Sequence, residues 1–321
     1  MRDNRIKTFY TPKQVLKIDN TNFSKSPLKP KLLMEYLEKQ KMSSHFDIIS
    51  NFRKFSQKDF LLAHSKEYVS AFFKGNYPLC ESNSLRWSQQ FADSIRYTNS
   101  SLYHAIKHSI EHPEHICFAP VSGMHHATPE RGGSFCSMSG QVIASIKIFR
   151  EFGLSGAYLD LDGHYGNSIE DSRYFVEDLD KAIPIGCNIN PFGSHQNYID
   201  DLKEHLEDLG EKILSFKIHY LVFAHGADSH ESDDLGGQCS TAEWMHCSEL
   251  VYDFVKDVSV KMKKPLPLTL ALFGGYRQDD FDSVLSLHTA DLVTCLNKLL
   301  EARINFEADI KTRKREIEYS Y

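Results

Sequence analysis

The chain has 321 residues, of which 41% are hydrophobic and 25% are charged, as in an ordinary globular protein. Its net charge of -6 gives no sign of a nucleic-acid-binding surface, and no apolar run approaches the ~20 residues of a membrane helix. Seven cysteines without a C-x-x-C pair predict free thiols in a reducing compartment. The N-terminus has no apolar core of a secretory signal. We therefore expect a cytoplasmic protein that partners neither nucleic acid nor membrane.

Predicted strands and helices alternate along the sequence. In chain order they are a strand at 7–11, a helix opened by Pro30, a helix at 59–73, a surface loop at 75–83, a helix at 93–110, a strand at 115–118, a loop at 120–133, a helix at 139–153, a strand from Gly156, an amphipathic segment at 172–182, a strand at 186–191, a helix at 197–214, a strand at 220–224, a helix at 242–262 and a strand at 266–273. Such alternation predicts one α/β domain over residues 1–321, with a mainly parallel sheet flanked by helices.

Residues 156–166 carry the first chemical signal. A buried strand from Gly156 leads into Asp160, Asp162 and His164. Asp162 and His164 are two positions apart, so on an extended chain they project to the same side. A carboxylate oxygen and an imidazole nitrogen facing one point are two of the three protein ligands of a catalytic zinc site. A strand that ends in an Asp-rich turn has the same residues, so this stretch alone leaves both interpretations open.

Three other predicted strands also end in residues suited to chemistry. The four segments are Gly123-Met124-His125-His126-Ala127 with Gly132-Gly133-Ser134-Phe135-Cys136, then Asp160-Leu161-Asp162-Gly163-His164-Tyr165-Gly166-Asn167, then His225-Gly226-Ala227-Asp228 with Asp233-Asp234-Leu235-Gly236, and finally Phe273-Gly274-Gly275-Tyr276. Each segment alone is a weak signal, because such short motifs also occur by chance. Open parallel sheets place ligands at the carboxyl ends of their strands, so all four in this order predict one functional site.

Together these motifs resemble the histone deacetylase superfamily, whose relatives include bacterial acetylpolyamine amidohydrolases and acetoin-utilisation proteins. The similarity extends from about residue 10 to about residue 292, and it includes an early helix with His64, Ser65, Tyr68 and Val69. The resemblance implies a single-domain, three-layer fold of the arginase/deacetylase type. It also implies a catalytic domain that acts on acylated amines.

Metal binding is the first property that the resemblance implies. Asp162, His164 and Asp228 would hold a catalytic metal and leave an open position for water or substrate. The ligand set suits Zn²⁺, with Fe²⁺ as an alternative. The resemblance further implies a structural K⁺ ion, held by Asp160 and neighbouring backbone carbonyls.

The catalytic residues follow from the same resemblance. His126 would be the general base, and His125 would stabilise developing charge, with one of the pair protonating the leaving amine. Asp160 would orient the first histidine and Asn167 the second, where many relatives have an aspartate. Tyr276 would donate its hydroxyl to the oxyanion.

Substrate contacts are expected from Phe135, Cys136 and Gly275. The resemblance places Phe135 in the wall of an acyl-lysine tunnel, whereas Cys136 either lines the acetyl cavity or only fills space. The chain departs from well-known eukaryotic deacetylases between Asn167 and residues 188–191, where a strand and a loop with a second tunnel phenylalanine are shortened or replaced. Phe192 is the only candidate for that second ring, and the departure leaves the substrate open.

The sequence therefore predicts a metal-dependent hydrolase that removes an acetyl or short acyl group by a metal-activated water. Its partner would be an acylated lysine peptide or protein, or an acylated polyamine, and a homo-oligomer that completes the rim is an option. A catalytically silent module that binds acyl-lysine or protein is the alternative of another class. A two-manganese, arginase-like hydrolase is disfavoured, because it would require further carboxylates around a second metal.

Overall fold

The computed structural model describes residues 4–16 and 23–311, so residues 1–3, 17–22 and 312–321 of the predicted domain lie outside the described residues. Its strands are β1 (Ile6–Phe9), β2 (Phe46–Ile49), β3 (Cys117–Phe118), β4 (Gly156–Asp160), β5 (Asn188–Ile189), β6 (Tyr220–Ala224) and β7 (Leu268–Ala271). They form one sheet in the order β2-β1-β3-β7-β6-β4-β5, and every neighbouring pair is parallel. This architecture confirms the predicted α/β fold.

Burial on both faces explains why β4, β6 and β7 are largely apolar. Every residue of β1, β4, β6 and β7 is buried. A parallel sheet covered by helices on both sides requires such continuous apolar runs. The match between the predicted and observed β6 follows from this requirement.

Helices cover the sheet and form two packing groups. They are α1 (Lys29–Lys39), α2 (Gln57–Phe60), α3 (Lys66–Lys74), α4 (Gln89–Glu111), α5 (Gly140–Phe152), α6 (Ser168–Ser172), α7 (Leu179–Ala182), α8 (Gln196–Leu214), α9 (Thr241–Met262) and α10 (Phe281–Leu300). In one group α5 packs against α4, α6 and α7, and α3 against α4; in the other α9 lies between α8 and α10, and α1 packs against α10. None of the helices in the described part of the chain combines the length and apolar character that a bilayer-spanning segment requires.

The single helix predicted over residues 59–73 is wrong, because the chain turns between α2 and α3. The Ser65 side chain accepts a hydrogen bond from Tyr68 N at 3.1 Å and so begins α3 as its N-cap. Leu61, in the turn between α2 and α3, is 42% exposed. The interruption places His64 where its ring reaches the neighbouring loop.

Two further elements differ from the sequence prediction. The amphipathic segment at 172–182 contains only the end of α6 and the short α7, with Arg173 between them. The Arg173 guanidinium donates hydrogen bonds to Glu170, Asp180 and the carbonyl of Ile183, and these bonds hold the turn. No helix is predicted from the sequence where α10 lies. Most of this helix is buried, so its sequence does not alternate between an apolar and a polar face.

Candidate active site

Four adjacent strands direct their carboxyl ends at one region. In the sheet β3, β7, β6 and β4 are consecutive neighbours, and each is followed by one of the four segments singled out in the sequence. The carboxyl ends of parallel strands lie at the same edge, so residues more than 100 positions apart become neighbours.

Asp162, His164 and Asp228 converge as predicted. His164 Nδ1 lies 2.9 Å from Asp228 Oδ2 and 3.2 Å from Asp162 Oδ1. One ligand atom from each of the three lies within 4.8 Å of the others. Both carboxylate side chains are inaccessible to solvent, whereas that of His164 is 36% exposed. One imidazole nitrogen and two carboxylates, with access from one side, are a donor set that fits a catalytic divalent metal.

Electrostatics around these three residues also suit a cation. Burial and the negative charge of Asp162 raise the pKa of Asp228 to about 7. Hydrogen bonds to Asp162 and Asp228 raise the pKa of His164 to about 10, against the opposing effect of burial. Without a metal, the imidazolium therefore supplies the positive charge that the buried carboxylates need. A divalent ion would take over that charge and leave the imidazole neutral as a ligand.

Glycine backbone encloses the carboxylates closely. Gly274 N donates a hydrogen bond to Asp162 Oδ2 at 2.7 Å, and Gly163 N donates to Asp228 Oδ1 at 3.0 Å. A Cβ atom added at Gly274 would overlap the carboxylate of Asp228, and one added at Gly226 would meet the same group. These positions require glycine because backbone approaches the ligands where a side chain would lie.

The histidine pair lies beside the three candidate ligands, and each ring has its own partner. His125 Nδ1 donates to Asp160 Oδ2 at 2.9 Å, and His126 Nδ1 donates to Asn167 Oδ1 at 2.7 Å. Because Nδ1 makes this hydrogen bond in both rings, Nε2 is the nitrogen that remains for contacts within the site. His125 Nε2 is 3.7 Å from Asp162 Oδ2, and the two ring centroids are 4.2 Å apart.

The two imidazoles differ in charge. Burial lowers the pKa of His125, but the carboxylates of Asp162 and Asp160 outweigh burial and raise it to about 9. Burial and the positive charge of His125 lower the pKa of His126 to about 4, although its hydrogen bond to Asn167 acts in the opposite direction. Near neutral pH, one ring is a cation and the other a neutral base.

The Tyr276 ring lies next to His164 and Phe135. Its centroid is 6.2 Å from that of His164 and 5.6 Å from that of Phe135. Tyr276 N donates to Asp233 Oδ2 at 2.7 Å, which anchors the backbone of the tyrosine. Burial and the charge of Asp162 raise the pKa of the Tyr276 hydroxyl well above its usual range, so the hydroxyl keeps its proton.

The three residues expected to contact substrate differ in their surroundings. Phe135 is half-buried beside Tyr276, whereas Cys136 is buried and burial raises the pKa of its thiol. Gly275 is buried at φ +132°, and an added Cβ would meet Val284. Its conformation therefore serves to aim Tyr276. Phe23, rather than Phe192, stacks on Phe135 with centroids 6.3 Å apart, and the Phe192 side chain is 86% exposed.

Two residues that the sequence analysis left without a role support the site. Lys29 Nζ is fully buried and donates to the carbonyls of Phe273 and Gly274, and burial lowers its pKa to about 8 against the charge of nearby Asp228. His64 Nδ1 donates to Thr128 O, and its Nε2 accepts from Ser139 N, both at 2.8 Å. The lysine gave no signal in the sequence. The histidine was noted only as part of the early helix.

Comparisons with known proteins find similarity to histone deacetylases. Residues 24–180 match the family model of the histone deacetylase domain. Histone deacetylase 2 of Arabidopsis thaliana is 26% identical over 196 residues, which are 53% of this chain and 48% of that protein. The chain thus spans about half the length of the curated relative that it matches.

Among solved structures, the crystal structure of the HDA15 HD domain has a similar fold, with a TM-score of 0.70. The similarity covers 94% of this chain and 91% of that chain. Its 14% sequence identity makes this a likeness of fold. The family match contains the histidine pair and the first two candidate ligands, while the fold likeness extends across the strands that position Asp228 and Tyr276. The partial family match and the likeness of fold together support membership of the histone deacetylase superfamily.

Proposed function

We propose that this protein is a metal-dependent amide hydrolase that removes an acetyl or short acyl group from an acylated amine such as acetyl-lysine. The observation that carries the proposal is the convergence of Asp162, His164 and Asp228 within 4.8 Å, beside a histidine pair with unequal charge. Neither feature is needed to stabilise an α/β sheet, because buried carboxylates cost free energy unless they are paired. Residues 1–321 would form one catalytic domain.

Zn²⁺ is the metal we propose, with Fe²⁺ as the alternative, because both accept a nitrogen and two carboxylate ligands. When bound, such a metal lowers the pKa of a water molecule toward about 7 and polarises the scissile carbonyl. A structural K⁺ ion beside Asp160 remains part of the proposal. Both Asp160 oxygens already accept hydrogen bonds, from His125 Nδ1 and Asp162 N, so neighbouring carbonyls would supply much of its coordination.

The histidine pair divides the proton transfers. His126 is neutral near pH 7 and presents Nε2, so it takes the proton of the attacking water. The carboxylates of Asp162 and Asp160 raise the pKa of His125, and a cationic ring there would stabilise the negative charge that develops beside it. One of the two then protonates the departing amine. The Tyr276 hydroxyl keeps its proton and donates it in a hydrogen bond to the oxyanion, a contact worth about 10²–10³ in rate.

The substrate is proposed from the apolar side of the site. Phe135 offers a half-buried ring next to Tyr276, which suits the methylenes of an acyl-lysine or of an acylated polyamine. Phe23 covers one side of that ring. Because Phe192 does not complete a second wall, the mouth accepts a small acylated polyamine as readily as a lysine side chain. A homo-oligomer in the cytoplasm remains an expectation from the sequence.

An activity panel tests the proposal. The zinc-loaded protein is assayed for acetate release from an acetyl-lysine peptide and an acetylpolyamine, and for longer-acid release from longer acyl-lysines, with and without a chelator. We expect chelator-sensitive release that falls by about 10²–10³ in Tyr276→Phe and by at least about 10² in His126→Ala. His205→Ala, on the exposed face of α8, is the matched histidine control. The absence of turnover on every substrate at full zinc occupancy would reject the hydrolase.

The binding module makes the opposite prediction for the same proteins. If turnover is absent in the wild type, acyl-lysine peptides should still bind and should protect the fold against heat. If turnover is present but unchanged by the Tyr276 and His126 variants, the activity comes from a contaminating enzyme.

A further inference from the structure

A second group of residues of metal-ligand type lies at the other end of the strands, near the amino end of β3. It consists of His112, Glu114 and His115, in the connection from α4 to β3, together with His108 on the last turn of α4. The active-site residues follow the carboxyl ends of the strands, whereas this group precedes the amino end of β3. It is therefore separate from the site described above, and the inference does not depend on the proposed function.

The three residues His112, Glu114 and His115 offer one ligand atom each, and these atoms lie within 4.8 Å of one another. Ligand atoms bound at about 2.1 Å to one zinc ion are separated by roughly 3.4 Å, so only a small closure is needed. The side chains of His112 and Glu114 are 49% and 52% exposed, which leaves them free to rotate and open to a metal from solvent. Two imidazoles and a carboxylate favour Zn²⁺ and its neighbours Cu²⁺ and Ni²⁺ over Mg²⁺ or Ca²⁺.

The backbone that presents these ligands is held in place. His112 N donates to His108 O at 2.8 Å, and His115 N donates to His112 O at 2.9 Å. The next residue, Ile116, accepts a hydrogen bond from Lys7 N at 2.9 Å, which joins the connection to β1. The pyrrolidine ring of Pro113 restricts the backbone between the two histidines further. A metal would therefore find its ligands on a backbone that is already held in place, so little backbone entropy would be lost on binding.

His108 supplies the partner that a metal-binding histidine usually has. His108 Nε2 lies 3.0 Å from His115 Nδ1, and the two rings are stacked at 9° with centroids 5.2 Å apart. When His115 Nδ1 donates its proton to His108, the Nε2 lone pair of His115 is available for a cation. A hydrogen bond from the second ring nitrogen fixes the tautomer of a metal ligand, and its loss typically lowers affinity about 10–100-fold.

Three imidazoles lie close together at this turn. The His108 and His112 centroids are 4.7 Å apart, and those of His112 and His115 are 5.4 Å apart. Neutral imidazoles are common metal ligands, and the Glu114 carboxylate beside them would supply negative charge to a bound cation.

We propose that His112, Glu114 and His115 form a second divalent transition-metal site, oriented by His108, that clips the end of α4 to the start of β3. Three protein ligands leave a fourth position for water. The role of the site is structural, because it joins the helix end to the strand by a bond that the unfolded chain cannot preform.

Zinc titration of the full-length chain tests this site apart from the first. The background is His164→Ala, which removes a candidate active-site ligand, and it is compared with the same protein carrying His112→Ala and His115→Ala. We expect one zinc equivalent in the background, with a rise in melting temperature, and the loss of both in the triple variant. The matched control adds His205→Ala instead, an exposed histidine 3.4 Å from Asp201, and should bind as the background does.

Copper provides a spectroscopic measurement that does not depend on folding stability. In the His164→Ala background, the electron paramagnetic resonance spectrum of one Cu²⁺ equivalent should have hyperfine splitting from two nitrogens, reduced to one by His112→Ala. Circular dichroism should be the same for all variants, because none of the altered histidines is buried in the core. Zinc titrations that coincide with and without His112 and His115 would overturn the proposal, as would a copper spectrum without nitrogen splitting.

Discussion

Replacing Asn167 by aspartate would test whether a neutral amide sets the basicity of His126. Asn167 Oδ1 accepts the Nδ1 proton of His126 at 2.7 Å, and the pKa of this imidazole is lowered to about 4 by burial and by the charge of His125. A carboxylate at the same position would keep the hydrogen bond and add a negative charge. The imidazolium form of His126 would then be stabilised.

Geometry sets the expected magnitude. Charges about 4 Å apart interact by roughly 4 kcal/mol at an effective dielectric constant of about 20. Since His126 is partly exposed, solvent screening reduces this value, and a neighbouring opposite charge usually shifts a pKa by about 1–3 units. We therefore expect the pKa of His126 to rise from about 4 to between roughly 5 and 7.

The assay is the pH dependence of kcat/KM, whose acidic limb reports protonation of the base in the free enzyme. A higher pKa makes His126 lose its basic form at a higher pH, so the acidic limb of Asn167→Asp should move up by about 1–3 units. Asn167 Nδ2 also donates to Asp171 Oδ2 at 2.6 Å, so the new carboxylate would face a like charge. Asp171→Asn in the same chain removes this repulsion, and Asp171→Asn alone is the control.

The reasoning is refuted if the acidic limb of the double variant coincides with that of Asp171→Asn. That result would mean that His126 is not the group whose protonation abolishes activity. A uniform loss of activity at every pH would instead indicate a displaced ring and would equally contradict a purely electrostatic effect.

Three other substitutions test the supports of the site. Gly274→Ala would put a methyl group into the carboxylate of Asp228, so zinc affinity should fall about 10–100-fold in a calorimetric titration. Lys29→Met would leave two buried carbonyls without their donor, which should lower the free energy of unfolding in urea by about 1–3 kcal/mol. His64→Gln should flatten the pH dependence of stability between about pH 6.5 and 4. Burial lowers the pKa of His64 in the folded protein to about 4, so the unfolded chain binds a proton at a higher pH than the folded protein does. In the wild type, His64 stabilises the fold fully above pH 6.5, and about 3 kcal/mol of this contribution is lost as the pH falls toward 4.

Matched controls separate these effects from general damage. Gly153→Ala carries backbone strain at φ +69° but contacts nothing near the ligands, so its zinc affinity should be that of the wild type. Lys31→Met alters a partly exposed lysine that pairs with Glu35 at 3.4 Å, and it should cost less than about 1 kcal/mol. Equal zinc affinities for Gly274→Ala and Gly153→Ala would contradict the overlap expected at Asp228. Equal stabilities for Lys29→Met and Lys31→Met would contradict a stabilising role of the buried Lys29 hydrogen bonds. A pH dependence of stability that is unchanged in His64→Gln would exclude His64 as its source.

Much of the fold could be predicted because its signals are local. The apolar runs of β4, β6 and β7 have to be buried on both faces, and the centre of a parallel sheet covered by helices is the place that buries them so. Helix ends were less well predicted where a side chain caps a turn, as Ser65 does. The helix α10 was missed because most of its residues are buried, including polar ones such as Ser286, His288 and Thr289, so its polar residues do not mark one exposed face.

The candidate site divides in the same way. The sequence by itself indicated the candidate residues, since strand-end motifs with Asp162, His164 and the histidine pair have side chains suited to metal binding and acid–base chemistry. Only the tertiary structure decided how they are tuned. The pairing of His125 with Asp160, the burial of Lys29 under the strand end and the stacking of Phe23 on Phe135 join segments 35 to more than 200 positions apart. Such contacts arise because parallel strands bring distant carboxyl ends to one edge, and no pattern along the chain records which of them will meet.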